Sequence, residues 1–89
     1  MKHTPFSYVL PEPLCPGCEN DEVWLLQAML AAISRHYVNL AQPSLNGVYD
    51  SLTTEAVKRV QRALGIADTG ETNQETWDHI ILMFCCWPE

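Results

Sequence analysis

Four cysteines, three histidines and eleven acidic residues are the groups in this 89-residue chain with the means to ligate a metal, change oxidation state or move protons. Cys15-Pro16-Gly17-Cys18 lies near one end of the chain, and adjacent Cys85 and Cys86 lie near the other. Four cysteines admit three pairings, and spacing alone does not choose among them. A disulfide joining the N-terminal segment to the end of the chain suits an oxidising compartment. Reduced, partly buried thiols suit a reducing one. A zinc site is the least favoured reading. C-x-x-C supplies two thiolates to one ion, but neighbouring cysteines on a helix point about 100° apart and ligate together awkwardly. A thioredoxin-like redox role needs a βαβ setting, and no such pattern is visible. His3, His36 and His79 stand far apart, and none falls in an H-E-x-x-H pattern. There is no G-x-S-x-G elbow and no phosphate-cradling glycine loop. Glu75 and Asp78 flank Trp77, where acids serve the dipole of a helix start. These observations predict no catalytic group, no metal site and no cofactor.

The elements that position these groups are helical. Val23, Leu26, Leu30, Ile33 and Tyr37 recur at steps of three and four, which predicts a helix over 21–38. Asn20 is placed to cap it, with Asp21 and Glu22 at the positive end of its dipole. Trp24, Leu25 and Met29 widen the apolar face, as expected of a helix packed between two neighbours. Ala56, Val57, Val60 and Leu64 mark a second helix over 51–64, closed by Gly65. Trp77, Ile80, Ile81 and Phe84 mark the inward face of a third over 74–86, which Pro88 ends. Between the first two helices, residues 39–50 form a long connection turning at Asn46-Gly47, with Leu40, Leu45, Val48 and Tyr49 folded back on the core. Residues 66–72 make a short turn. The expected core is Leu26, Leu30, Ile33, Val57, Val60, Leu64, Trp77 and Ile80.

One spacing occurs twice. Gly47 is followed at steps of three by Asp50 and Thr53, and Gly70 by Asn73 and Thr76. In each case a glycine turn feeds an Asp or Asn cap, with threonine at N3 able to answer it. The second and third helices are therefore expected to share one local architecture.

Residues 1–20 read as an N-terminal arm. Pro5, Pro11, Pro13 and Pro16 exclude helix and central strand, while Phe6, Tyr8, Val9 and Leu10 give it an apolar side to lay on the body. The remainder, 21–87, is one domain. The fold class is thus all-α, a three-helix bundle with a proline-rich arm. A chain this short buries roughly 60–65% of its unfolded surface, so its core is small. Eleven acids against five bases give a net charge of -6. That balance argues against nucleic acid, which needs clustered cations, and against an anionic membrane surface. No stretch has the apolar length of a membrane span, and the N-terminus lacks the apolar run of a signal peptide. The route to any extracellular site stays open: export by another path, action where the chain is made, or release from a larger protein.

From Val23 to Ile81 the chain reads V-x-x-L-Q-x-x-L, a gap, N-G-V-Y, T-x-x-A-V-x-x-V-Q-x-x-L-G-I, T-G, then T-W. This resembles the three-helix peptidoglycan-binding domain family of bacterial and phage cell-wall hydrolases. The likeness rests on Leu26-Gln27 and Leu30, Asn46-Gly47 with Tyr49, Thr53, Ala56-Val57, Gln61, Leu64-Gly65-Ile66, Thr69-Gly70 and Thr76-Trp77. It spans about two-thirds of the chain. Asn46, Asp50 and Val60 depart from the residues usual at those positions; the first two keep turn and cap chemistry, so they leave the fold alone and bear on glycan affinity. The resemblance implies a non-catalytic module that binds cell-wall peptidoglycan, at the wall or outside the cell, and targets an associated hydrolase or wall protein. It places the ligand surface at the entrance to the second helix, where Asn46, Tyr49, Asp50, Thr53 and Gln61 are the candidate binding residues. Each also has a structural role open to it: Asp50 and Thr53 as caps, Gln61 as a loop anchor, Tyr49 as a core plug. The net charge, the arm and the terminal Trp87 motivate an alternative, a bundle of this kind that has lost glycan binding and docks a protein partner.

Overall fold

The computed structural model describes residues 9–35 and 44–85. Those residues contain three helices, α1 (Asp21–Ile33), α2 (Ser51–Leu64) and α3 (Gln74–Cys85). No strand occurs among them, only two isolated antiparallel bridges, Leu14 with Thr72 and Glu19 with Val48. The chain is all-α.

Each helix starts where a side chain satisfies an orphan amide. Asn20 Oδ1 accepts from Val23 N at 2.9 Å, Asp50 Oδ1 from Thr53 N at 3.0 Å, and Asn73 Oδ1 from Thr76 N at 2.8 Å. Gly65 ends α2 in the left-handed region, with Ile66 N donating back to Gln61 O at 3.0 Å. The first helix ends at Ile33, with Ser34 and Arg35 outside it, where a helix to 38 was expected; 36–38 lie outside the described residues. The Ser34 hydroxyl takes the Ala31 carbonyl at 2.7 Å, the acceptor that Arg35 N would need to continue. Arg35 N turns instead to Ala32 O, tightening the last turn. Tyr37 and Leu40 lie outside the described residues.

The core joins Val23, Leu26, Leu30 and Ile33 of α1 to Val57 and Val60 of α2 and to Trp77, Ile80 and Ile81 of α3. Helix α1 packs mainly on α3. Leu64 is only partly buried. Phe84 is exposed rather than inward, and Met83 continues the contact of α3 with the core. Trp24 and Leu45 also face solvent, where the sequence suggested packing. Leu10 and Leu14 are buried in the same core, so the segment before α1 packs into it rather than merely beside it. Leu10 N donates to Gln74 Oε1 at 2.7 Å, and Leu14 and Thr72 exchange backbone bonds at 2.9 and 2.8 Å.

Candidate functional site

Two buried glutamines organise the loops that feed α2 and α3. Gln27, on the inner face of α1, is fully buried. Its Oε1 accepts from Asn46 N at 3.0 Å and Gly47 N at 2.8 Å. Its Nε2 donates to Val48 O at 2.8 Å, Thr53 Oγ1 at 2.9 Å and Asn46 Oδ1 at 3.2 Å. Thr53 Oγ1 donates onward to Asp50 Oδ1 at 3.0 Å. Gln61 does the same one helix later. Its Oε1 accepts from Gly70 N at 3.0 Å, and its Nε2 donates to Glu71 O at 2.9 Å, Thr76 Oγ1 at 3.2 Å and Thr69 Oγ1 at 3.4 Å. A buried amide with both ends occupied fixes a loop without leaving a costly unpaired group. The doubled Gly–Asp/Asn–Thr spacing in the sequence is therefore one device used twice, a helix-borne glutamine clasping the next helix's entrance.

Gly70 shows why that device needs glycine. Its φ is +84°, and a Cβ there would lie 3.0 Å from both Thr54 Cγ2 and Lys58 Cε. Its carbonyl accepts from Tyr49 Oη at 2.6 Å, which also bonds Thr72 Oγ1 at 3.0 Å. Tyr49 is 1% exposed, so its ring joins the two loops from inside. Burial pushes its hydroxyl up to about 12. The Thr53 amide and hydroxyl hold the Asp50 carboxyl below its usual range.

Of the five residues placed at the α2 entrance from sequence, Thr53 and Gln61 are buried and Tyr49 is buried with its hydroxyl engaged. Asp50 is half-buried and caps α2. Asn46 is exposed. The structure brings Asn46, Asp50 and Thr53 together around Gln27, whereas Gln61 belongs to the second clasp. Cys15 and Cys18 are both free, with sulfurs 3.5 Å apart. The Cys85 side chain and Cys86 lie outside the described residues. No group of three or more metal-ligating side chains occurs among the described residues.

Asn46 opens onto a groove that the sequence did not announce. Glu19, Asn20, Asp21, Trp24, Asn46 and Gly47 line it, and its volume is about 250 Å³. Trp24 stands at its edge, 49% exposed. Asn20 N donates to Gly47 O at 3.1 Å, tying the start of α1 to the Asn46–Gly47 turn. Asn46 Oδ1 is engaged by Gln27 and by Val48 N at 3.0 Å. The lining therefore combines an indole side chain, amide groups and two carboxylates, with no cation among the described residues. Aromatic planes accept the CH faces of sugars, and carboxylates and amides accept or donate to hydroxyl and acetamido groups. The signal for Trp24 was present in the sequence, as an indole lying off the 23–26–30–33 stripe.

A family model described as "Putative peptidoglycan binding domain" matches residues 19–80. No curated protein matches the chain significantly. Among solved structures, the SleB N-terminal domain is similar with a TM-score of 0.69 at 19% identity, over 83% of this chain and 94% of that one. A peptidoglycan-binding protein from Clostridioides difficile, solved with glutamine hydroxamate, is similar with a TM-score of 0.71 at 20% identity. That match covers 88% of this chain and 46% of the other. At these identities the likeness to the two structures is one of fold.

Proposed function

The chain belongs to the peptidoglycan-binding domain family, and from that premise we propose a non-catalytic module that holds a cell-wall hydrolase or wall protein on peptidoglycan. The ligand surface in this proposal is the groove between the start of α1 and the Asn46–Gly47 turn. The observation that carries it is Trp24, a large aromatic ring left half-exposed beside amides and carboxylates. A glycan ring stacks on the indole, Asn46 Nδ2 donates to an acetamido carbonyl, and Glu19 and Asp21 accept sugar hydroxyls. Asp50 and Thr53 act from behind by fixing the turn that presents Asn46. The lining acids suit a neutral glycan better than the carboxylates of stem peptides. No helix among the described residues is long and apolar enough to cross a membrane, and action at the cell wall or outside the cell is part of this proposal.

The test is co-sedimentation with purified sacculi. The wild-type chain should bind with a dissociation constant of roughly micromolar to millimolar, as a shallow groove supplies few buried contacts. Trp24→Ala should weaken binding about tenfold or more, with an unchanged circular dichroism spectrum, because the ring is half-exposed. Equal binding by the variant would remove the groove from the proposal. No binding by either protein would favour the protein-docking alternative. Soluble muropeptides released by the pure chain would refute a non-catalytic role.

A further inference from the structure

The segment preceding α1 carries a chemistry that wall binding does not use. Cys15-Pro16-Gly17-Cys18 forms a tight turn in which Cys18 N donates to Cys15 O at 3.0 Å. Proline sets the first central position, and Gly17 at φ +98° takes the second, as type II geometry requires. The turn is clamped from both sides. Gly17 N donates to Tyr49 O at 3.0 Å, Tyr49 N donates to Cys18 O at 2.8 Å, and Leu14 is paired with Thr72. A backbone held in this way leaves the two sulfurs 3.5 Å apart, with both residues half-buried and reachable.

We propose that Cys15 and Cys18 are a thiol–disulfide site, oxidised to an intra-turn disulfide by exchange with a disulfide of the surroundings. The two sulfurs have different roles. Cys15 N points at Cys18 Sγ, 3.3 Å away, so Cys18 is the sulfur whose negative charge has a backbone donor. The hydrogen bond to Cys18, then burial, raises the Cys15 thiol above its ordinary value, so Cys15 is the one that keeps its proton. Cys18 thiolate attacks one sulfur of the incoming disulfide RSSR and expels RS⁻, leaving a mixed disulfide on Cys18. Cys15 then gives its proton to solvent, attacks Cys18 Sγ and expels the second RS⁻. Two protein thiols are oxidised, and RSSR is reduced to two thiols. The sulfurs close the remaining distance by side-chain rotation, while the turn keeps its bonds to Tyr49. The oxidised ring fastens the stretch that runs directly into Glu19 and Asn20 of the groove. This inference is independent of what the groove binds.

Trypsin separates the alternatives. Cleavage after Lys2, Arg35 and Arg62 puts Cys15 and Cys18 on peptide 3–35, and Cys85 and Cys86 on peptide 63–89. The full chain is reduced, equilibrated with mixtures of oxidised and reduced glutathione, quenched, alkylated, digested and weighed. The expected product is peptide 3–35 lighter by two hydrogens, unalkylated and not joined to peptide 63–89. Cys15→Ser should trap Cys18 as a mixed disulfide with glutathione. Cys18→Ser should slow reaction at the remaining Cys15 about tenfold or more. The Cys85→Ser, Cys86→Ser double variant should oxidise at peptide 3–35 as the wild type does. The proposal is overturned if the two peptides are cross-linked, if 3–35 stays fully alkylated in oxidised glutathione, or if one equivalent of zinc protects Cys15 and Cys18 from alkylation.

Discussion

Tyr49 Oη donates to Gly70 O at 2.6 Å and meets Thr72 Oγ1 at 3.0 Å, in an interior where water cannot replace either partner. Tyr49→Phe keeps the ring and strands those two groups, at a cost of about 1–3 kcal/mol. The same residue sets a pH dependence. Unfolded tyrosine ionises at its ordinary value of 10.0, whereas burial raises the folded value to about 12. Above pH 10 the unfolded chain has released a proton that the folded chain still holds. The stabilisation is therefore complete below pH 10 and is lost as pH rises through about 12. Thermal melting of wild type between those limits should fall more steeply than that of Tyr49→Phe. Parallel curves would show that the hydroxyl is not the group responsible. The sequence grouped Tyr49, Thr53 and Gln61 at the α2 entrance, whereas Gln61 holds the loop that enters α3. Their roles as core plug, cap and loop anchor were legible, and what needed the fold was the set of loop amides that Gln27 and Gln61 hold. Gln27 did carry a signal, a polar residue in the apolar stripe between Leu26 and Leu30. Its role needed the fold, since its partners lie about twenty residues away.

At the scale of the element, each of the three helices is entered through glycine, then a cap three residues on, then the capped amide three further. The third instance, Gly17–Asn20–Val23, was hidden in the sequence because Val23 lacks the hydroxyl that makes Thr53 and Thr76 recognisable. Helix starts were legible because their chemistry is local, a side-chain oxygen against an amide three residues ahead. The end of α1 was not, because apolar periodicity continued to Tyr37 while the Ser34 hydroxyl diverted the Ala31 carbonyl. Exposure of Phe84 was equally unreadable, since a helix wheel ranks faces without saying how much neighbour each one meets. The cap device supports a graded expectation at Asp50. Asp50→Ala removes the acceptor for Thr53 N and Oγ1 and should cost about 1 kcal/mol. Asp50→Ser keeps a capping oxygen and should melt close to wild type. Asp50 lies outside the groove lining, so Asp50→Ser should also bind sacculi at least as well as wild type. Equal losses of stability for alanine and serine would mean that the charge of Asp50, and not its cap geometry, supports α2.

For the molecule as a whole, charge decides how a weak site can work. The chain carries a net charge of -6, and two of its acids, Glu19 and Asp21, stand in the groove itself. Peptidoglycan is rich in stem-peptide carboxylates, so long-range electrostatics oppose the encounter and no lining cation offsets them. In the proposed groove, affinity would come from short-range contacts, the indole of Trp24 against a sugar face and amides against hydroxyl and acetamido groups. The two kinds of force respond oppositely to salt. Stacking and neutral hydrogen bonds are barely screened, whereas repulsion between exposed charges fades as the Debye length falls below about 10 Å. Raising salt from about 0.05 to 0.5 M should therefore leave sacculus binding unchanged or strengthen it a few-fold. Binding that falls about tenfold over the same range would place the contact on a cationic part of the surface instead of the groove, because only a cationic face loses affinity in that way. Glu19→Gln with Asp21→Asn provides the complementary measurement. If the two carboxylates accept sugar hydroxyls, the neutral pair still offers acceptors and lowers repulsion, so the salt response should flatten while Trp24→Ala remains the more damaging change.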